Sequence, residues 1–288
     1  MKDFKFGLGW ERARSLLLWL ALPLALGLLV ASLIPQPAVG LITLNQAINA
    51  SSARDLITQI DYARNHPEIR AVVLVLDSPG GTVADTESVY LELLKLRQTR
   101  PLVASINSMA ASGAYYLTAA ADYAIARPTS DVGNIGVIGY EPSTPSIFED
   151  IISTGPYKLF GSPRDASMRQ IEMIKQGFYG AVKAGRGAKL TAGPDVILSG
   201  QIWPGAEALK LGLIDALGAQ SDAVEKAASL AHVSNYRIID LAVSSGLQPP
   251  LTAYGFFAQT TDGVTLPYPR QPGIYLLYIP STRTQGRK

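Results

Sequence analysis

Residues 71–81 read AVVLVLDSPGG, and this segment indicates the fold of the chain more clearly than any other. Residues 72–76 are all apolar, which is typical of a strand buried on both faces of a parallel sheet. The Asp, Ser, Pro and Gly residues that follow favour a turn, so the strand should end near Asp77. Ligands bind at the carboxyl ends of strands in open α/β sheets, and this turn is therefore a candidate part of a functional site.

Short β-branched segments alternate with longer helical segments on both sides of this strand. This alternation predicts an α/β fold, a parallel sheet with flanking helices. The predicted strands cover residues 40–44, 71–76, 102–106, 123–126, 137–139 and 236–242. The predicted helices cover residues 52–64, 84–97, 112–121, 167–188 and 221–231. Beyond residue 242, Gly, Pro, Thr and Gln become frequent, and the apolar patch at 274–279 is the only strong feature.

The composition excludes several classes of function. Hydrophobic residues make up 48% of the chain and charged residues 17%, which is typical of a packed globular protein and not of a disordered one. The formal charge of +2 arises within the first 14 residues, so the body is neutral and a nucleic-acid partner is not expected. The chain has no cysteine, which excludes disulfides and cysteine nucleophiles. No metal-ligand spacing and no phosphate-binding loop occurs, so we expect no metal and no cofactor.

The amino-terminal segment predicts a membrane anchor. No charged residue occurs between positions 15 and 53, and residues 16–34 form an apolar run close to the roughly 20 residues that a bilayer-spanning helix needs. Basic residues at positions 2, 5, 12 and 14 precede this run, which places the N-terminus in the cytoplasm and the body of the protein on the extracytoplasmic side of the cell membrane.

Two other interpretations of this segment stay open. A cleavable signal peptide also has a basic start, an apolar core and small residues such as Ala38 and Gly40 near a cleavage point. A buried core helix is the third interpretation. The apolar run is longer than the apolar core of most signal peptides, which favours the anchor.

Ser112 is the candidate nucleophile. The run NSMAASGAYY at residues 107–116 follows an apolar strand and enters an Ala-rich helix, so the Ser112 hydroxyl should lie near a helix amino end. Backbone N–H groups at such an end can stabilise a developing oxyanion, and glycines let a substrate carbonyl approach. The alternative is that Ser112 only caps the helix.

Lys158 is the candidate general base. A serine hydroxyl is a weak nucleophile near neutral pH and needs an adjacent base. His66 and His232 occupy positions typical of ordinary surface residues, so a Ser/His/Asp triad is poorly supported. Lys158 has apolar and aromatic neighbours, and burial of its amine would favour the neutral form that accepts a proton. The alternative is a solvent-facing lysine, and a Ser/Lys pair is a known variant of the triad.

Four segments in this order and spacing resemble the signal peptide peptidase A family: residues 77–81, residues 108–116, GNIGV at 133–137, and GPYK at 155–158 followed by Ser162 and Pro163. The resemblance continues to residue 218. It implies a ClpP/crotonase-like fold and a serine peptidase that cleaves remnant signal peptides or other membrane-associated peptides through an acyl-enzyme. It assigns Ser112 as nucleophile, Lys158 as base, and the backbones of Gly81 and Gly113 as the oxyanion hole.

The chain resembles the half-length members of this family. In these members the serine and the lysine of one site come from neighbouring subunits, so the resemblance implies a homo-oligomeric ring, with an octamer as one candidate. The family usually has a Gly-Ser pair whose serine orients the lysine, whereas this chain has Gly133 and Asn134. The amide oxygen of Asn134 can accept the same hydrogen bond, although its amide nitrogen also donates.

These observations predict four regions: a cytoplasmic N-terminus (1–14), a transmembrane helix (15–35), a peptidase domain (36–218) and a C-terminal extension of unassigned role (219–288). Two other functions stay open. One is an acyl-CoA enzyme on the crotonase scaffold. The other is a catalytically inert member that binds peptides or scaffolds a complex, which Asn134 motivates.

Overall fold

The computed structural model describes residues 14–15, 17–33, 35–140, 154–155, 157–158, 161, 163–247, 257–259, 265–267 and 273–277. The strands are β1 (Ala38–Leu44), β2 (Ile69–Ser78), β3 (Gly80–Thr82), β4 (Leu102–Ala111), β5 (Tyr123–Ala126), β6 (Asp131–Gly133), β7 (Ile138–Tyr140), β8 (Ile202–Pro204), β9 (Ala216–Leu217), β10 (Arg237–Asp240), β11 (Phe257–Gln259), β12 (Thr265–Pro267) and β13 (Gly273–Leu277). The α-helices are α1 (Leu22–Leu33), α2 (Ala50–Asn65), α3 (Val83–Arg97), α4 (Gly113–Thr118), α5 (Arg164–Arg186), α6 (Pro194–Ile197), α7 (Gly205–Lys210), α8 (Gln220–Leu230) and α9 (Leu241–Ser244).

A parallel sheet with the strand order β10-β1-β2-β4-β5-β9 forms the centre of the fold. In β2, Val72, Leu74 and Leu76 belong to one hydrophobic cluster, while Val73 and Val75 belong to another. Side chains of a strand alternate between the two faces of a sheet, so both faces are covered. The prediction of a strand buried on both faces is confirmed, and with it a mixed α/β fold with a mostly parallel sheet.

The part of the chain beyond residue 218 adds helix α8 and strand β10 to this fold. Ala223, Val224, Ala227 and Ala228 of α8 are buried in the second cluster, against the valines of β2. Strand β10 pairs in parallel with β1 and extends the sheet by one strand. The chain from residue 220 to residue 240 therefore contributes directly to the core.

The structure shortens two predicted elements for identifiable reasons. The predicted helix at 112–121 spans only Gly113–Thr118, and it cannot begin at Ser112 because the backbone conformation of this residue is not helical. The predicted strand at 236–242 ends at Asp240, whose carboxylate accepts hydrogen bonds from the backbone N–H groups of Ala242 and Val243 and so begins the short helix α9.

Helix α5 packs over α4, the helix that follows Ser112. The rings of Tyr116 and Phe178 lie 4.8 Å apart. At Gly185 a Cβ atom would lie 2.0 Å from the carbonyl oxygen of Ala119, so only glycine allows the two backbones to approach this closely.

A buried ion pair fixes the end of α5. The Arg186 side chain is 3% exposed, donates from Nε to the Gly212 carbonyl at 2.8 Å, and donates from Nη1 to Asp215 at 2.7 Å. Asp215 also accepts from Lys189 at 2.7 Å and from the backbone N–H of Ala124 at 2.8 Å. Burial would raise the pKa of Asp215, but the hydrogen bonds from Arg186 and Lys189 outweigh burial and lower this pKa.

The apolar amino-terminal segment is helical where the structure describes it. A π-helical stretch, Leu17–Ala21, leads directly into α1. Its large apolar side chains are exposed at Leu17, Leu18, Trp19, Leu20, Leu22, Leu24, Leu26, Leu28 and Leu29. Within the described ranges, no helix is both long enough and apolar enough to cross a membrane.

Candidate active site

Ser112 lies in a strained turn between a strand and a helix. Strand β4 ends at Ala111 and α4 begins at Gly113, and Ser112 between them has φ 53° and ψ −118°. Residues other than glycine rarely adopt a positive φ, because such a conformation costs about 1–3 kcal/mol and persists only where its surroundings enforce it. Here the Ser112 N–H donates to the Gly133 carbonyl at 2.8 Å, and the Ser112 carbonyl accepts from the Tyr116 N–H at 2.9 Å.

A nucleophilic serine occupies a similar turn at the edge of the sheet in α/β-hydrolases. Ser112 itself is buried in this turn, with 1% of its surface exposed. The Ser112 side chain makes no capping hydrogen bond with α4, so the interpretation of Ser112 as a helix cap is wrong. Gly113 is the first residue of α4, where backbone N–H groups have no acceptor within the helix.

We expect the strain at Ser112 to reverse the usual ranking of alanine and glycine. Ser112→Gly should be more stable to urea unfolding than Ser112→Ala by about 1 kcal/mol, because only glycine adopts the positive φ without strain. The matched control is Ser88, an exposed position within α3, where glycine should instead be the less stable by about 1 kcal/mol. Equal stability of the two Ser112 variants would show that the turn stores no strain.

Gly81 lies in β3, directly after the turn that ends β2. A Cβ atom at Gly81 would lie 1.8 Å from the carbonyl oxygen of Ile48, so no larger residue fits. Ile48 N–H donates to the Gly80 carbonyl at 2.8 Å, and Thr82 N–H donates to the Ile48 carbonyl at 3.0 Å. Because backbone groups alternate along a strand, the N–H and C=O groups of Gly81 face away from Ile48.

The turns that carry Gly81 and Ser112 share one edge of the sheet. Strands β2 and β4 are neighbours, and Ser78 pairs with Ala110 at their carboxyl ends. A hydrogen bond from the Ser108 hydroxyl to the Asp77 carboxylate, 3.1 Å long, joins the two segments. The sequence contains both residues in the motifs quoted above, but nothing in it indicates that they form a pair.

Asn134 lies beside the backbone of Ser112. It follows Gly133, the acceptor of the Ser112 N–H, and it has a positive φ of 52°. Its backbone N–H donates to Gln201 at 2.7 Å, and its side-chain Nδ2 donates to the Gly200 carbonyl at 2.7 Å. These two hydrogen bonds fix the orientation of the Asn134 side-chain amide. Its oxygen, Oδ1, accepts no hydrogen bond from the described part of the chain and is free to accept one. Sequence reasoning missed the loop at residues 200–201 that holds this side chain.

Lys158 is exposed in the single chain. It lies in a short helical turn, and its backbone N–H donates to Gly155 at 3.2 Å. Among the described residues, no hydrogen bond joins Lys158 to Ser112 or to Asn134. One chain therefore brings Ser112, Gly113, Gly81 and Asn134 to one edge of the sheet, while Lys158 is exposed among the described residues.

A serine held at a positive φ at the carboxyl edge of a parallel sheet fits a serine hydrolase, and comparison with known proteins identifies the class. The profile of Clp protease matches residues 38–132. The profile described as Peptidase family S49 matches residues 95–234, which include Ser112 and Lys158.

Proteins named as proteases are similar to this chain. Protease 4 of Salmonella typhi is 35% identical over 63% of this chain and 31% of its own length. The chloroplastic serine protease SPPA of Arabidopsis thaliana is 30% identical over 64% of this chain and 29% of its own. A Synechocystis protein with a provisional protease name is 31% identical over 63% of this chain and 70% of its own. The chain spans about a third of the length of Protease 4, and it belongs to the signal peptide peptidase A family of serine peptidases, peptidase family S49.

Proposed function

We propose that this protein is a serine endopeptidase that cleaves remnant signal peptides and other membrane-associated peptides through a Ser112/Lys158 dyad. The observation that carries the proposal is the backbone of Ser112, held at a positive φ between β4 and α4 with its hydroxyl unused as a cap. A strained residue at the carboxyl edge of a sheet is costly, and such strain is concentrated at active sites.

The chemistry follows from the positions of these groups. The Ser112 hydroxyl attacks the scissile carbonyl while the neutral amine of Lys158 takes its proton, and the N–H groups of Gly81 and Gly113 stabilise the oxyanion. The tetrahedral intermediate expels the amine product, which takes the proton back from Lys158. Water then attacks the acyl-enzyme, again with Lys158 as base, and releases the acid product and free Ser112. Asn134 orients Lys158 through Oδ1.

A ring of subunits completes this site in the proposal. Lys158 is exposed in the single chain and has no hydrogen bond to Ser112 among the described residues. A neighbouring subunit that covers Lys158 would desolvate its amine and so favour the neutral form. Only the neutral amine can accept a proton and act as a general base. The family resemblance, which implies that the serine and the lysine of one site come from neighbouring subunits, supports the same arrangement, with an octamer as one candidate ring.

Membrane attachment through residues 15–35 is part of the same proposal. Its support is the uncharged apolar run, the basic residues before it, and the exposure of its apolar side chains in the described part of the helix. This orientation places residues 1–14 in the cytoplasm and the peptidase domain outside. Full-length chain recovered in the soluble fraction of lysed cells would contradict the attachment.

The test combines cleavage with chemical labelling. We expect the full chain to cleave a synthetic signal peptide and to react with a fluorophosphonate probe, with the adduct mapped by mass spectrometry to Ser112. The Ser112→Ala variant should lose the adduct, and Ser88→Ala, which removes an exposed hydroxyl on α3, should keep it. A folded chain that binds the peptide without an adduct and without cleavage would instead be the inert peptide-binding member.

A further inference from the structure

A cavity of about 190 Å³ lies at the carboxyl end of β1 and is lined by residues of α2 and α9. The parallel strands β1 and β10 both end beside it, and ligands of open α/β sheets bind at this end of the strands. Asn45 and Asp240 at its rim are exposed, so the cavity opens to solvent. None of the described residues that line it belongs to the candidate active site.

Gln59 brings an unused hydrogen-bond acceptor to this cavity. Gln59 lines the cavity and is only 3% exposed. Its Nε2 donates to the backbone carbonyl of Asp55 at 3.1 Å, and this bond fixes the amide, because the flipped amide would place its oxygen against that carbonyl. Oε1 accepts no hydrogen bond from the described part of the chain. A buried acceptor without a donor is costly, so the cavity favours an occupant that supplies one.

The charge at the cavity favours a cation. The charged side chains among its described lining residues are Asp55 and Asp240, and both are acidic. Asp55 lies one turn before Gln59 on α2, so the two side chains share one face of the helix. The Asp55 carboxylate forms no ion pair within the described part of the chain. One cation with several N–H donors can therefore contact Asp55 and Gln59 together.

The remaining walls favour an organic cation over a metal ion. The buried side chains of Leu44 and Leu56, together with Ala242 and Leu247, give the cavity apolar walls. Apolar walls contribute nothing to the coordination of a metal ion, but they stabilise the hydrocarbon part of an organic ligand. An apolar cavity of about 150 Å³ holds one benzene molecule, so this cavity has room for a body of that size and an ammonium group.

We propose that this cavity is a binding site for a small primary amine with an apolar body, of about the size of benzylamine. The ammonium group donates to Oε1 of Gln59 and to the carboxylate of Asp55, and the hydrocarbon part lies against Leu44 and Leu56. The site goes beyond the proposed peptidase function, because its ligand does not touch Ser112 and binds whether or not the chain cleaves peptides.

The test titrates the full-length chain with benzylamine and follows the ligand by NMR. We expect a dissociation constant of about 1 mM, which is typical of a ligand with about eight non-hydrogen atoms. Benzyl alcohol has the same size and no charge, and it should bind about tenfold more weakly because it lacks the charge-assisted hydrogen bond to the carboxylate. Equal affinities for the two probes would overturn the inference.

Variants on α2 locate the binding in this cavity. Asp55→Asn keeps the size of the side chain and removes its charge, and it should weaken benzylamine binding by about tenfold. Gln59→Met removes the buried acceptor and should weaken binding by about threefold. The matched control is Asp61→Asn, which removes a 51% exposed carboxylate on the same helix outside the cavity and should leave the affinity unchanged. Equal affinities of Asp55→Asn and Asp61→Asn would overturn the inference.

The unmutated chain and Ser112→Ala complete the experiment. No saturable binding of benzylamine by the unmutated chain up to about 20 mM would show that the cavity holds only water, and would overturn the inference. Ser112→Ala should bind benzylamine as tightly as the unmutated chain does. A failure of this site and a failure of the proposed peptidase therefore appear in different measurements, the first in binding of the amine and the second in cleavage of peptides.

Discussion

Ser112→Ala is expected to lower kcat/KM for peptide cleavage by about 10⁴-fold or more, and Lys158→Ala by about 10²-fold to 10⁴-fold. The larger loss is expected at Ser112 because this variant removes the proposed nucleophile, whereas loss of the proposed base leaves a weakly reactive hydroxyl in place. Both are measured on a fluorogenic peptide after unfolding curves show that each variant is folded. Lys210→Ala, which removes an exposed lysine on α7, is the matched control and should change kcat/KM by less than about twofold.

Mixing the two inactive variants tests whether the dyad spans two subunits. Neighbouring subunits of a mixed ring combine an intact Ser112 with an intact Lys158 in about a quarter of the interfaces, because each residue is intact in half of the subunits. We therefore expect equimolar refolded mixtures to recover about a quarter of the normal activity. A mixture as inactive as its components would place both residues of the dyad in one subunit.

Asp215→Ala is expected to lower the free energy of unfolding by about 3–5 kcal/mol, because it leaves the buried Arg186 guanidinium without its carboxylate. Urea unfolding at pH 7 measures this loss. Asp165→Ala is the control, because it removes an equally short ion pair with Arg169 in which each side chain is 71% exposed. This variant should lower the free energy of unfolding by less than about 1 kcal/mol. A double variant with Arg186→Met and Asp215→Leu should be more stable than Asp215→Ala, since it buries no unpaired charge.

The pH dependence of stability provides a second readout of the same ion pair. The folded-state pKa of Asp215 is lowered, so its stabilisation is fully present above the unfolded-state pKa of about 3.9 and is lost as the pH falls through the folded-state value. The unmutated chain should therefore lose stability below about pH 4 more steeply than Asp215→Ala does. Parallel slopes for the two chains would show that Asp215 is not held as the carboxylate.

The sequence predicts the parallel sheet well, because the informative signal lies within single segments. All of residues 72–76 are apolar, and this pattern is typical of a strand that is covered on both faces, as β2 is. Strands β3, β6 and β8 have three residues each, too few to show a period of two, and none was predicted. Their positions depend on partners distant in the chain, as Ile48 is for Gly81.

The sequence predicts the single segments of the candidate site but not how these segments come together in the fold. A serine followed by glycine after an apolar strand indicates a strand-to-helix turn, but the positive φ of Ser112 results from its contact with Gly133, which no local pattern encodes. The expected desolvation of Lys158 rested on its apolar neighbours in the sequence. Its side chain is nevertheless exposed in one chain, since neighbours along a chain do not determine what covers a side chain.

Strands β3 and β7 lie on either side of β13 and so about 10 Å apart, and this spacing limits which polypeptides could bind between them in the proposed function. An α-helix with its side chains is about 10–12 Å across and satisfies its own hydrogen bonds, so it neither fits between two strands nor offers them backbone groups. If the proposed function holds, a helical signal sequence has to unwind before Ser112 reaches it, and a stably folded domain is spared whatever its sequence. In the proposed function, such selection would protect intact neighbours in a crowded membrane while exposing loose fragments to hydrolysis.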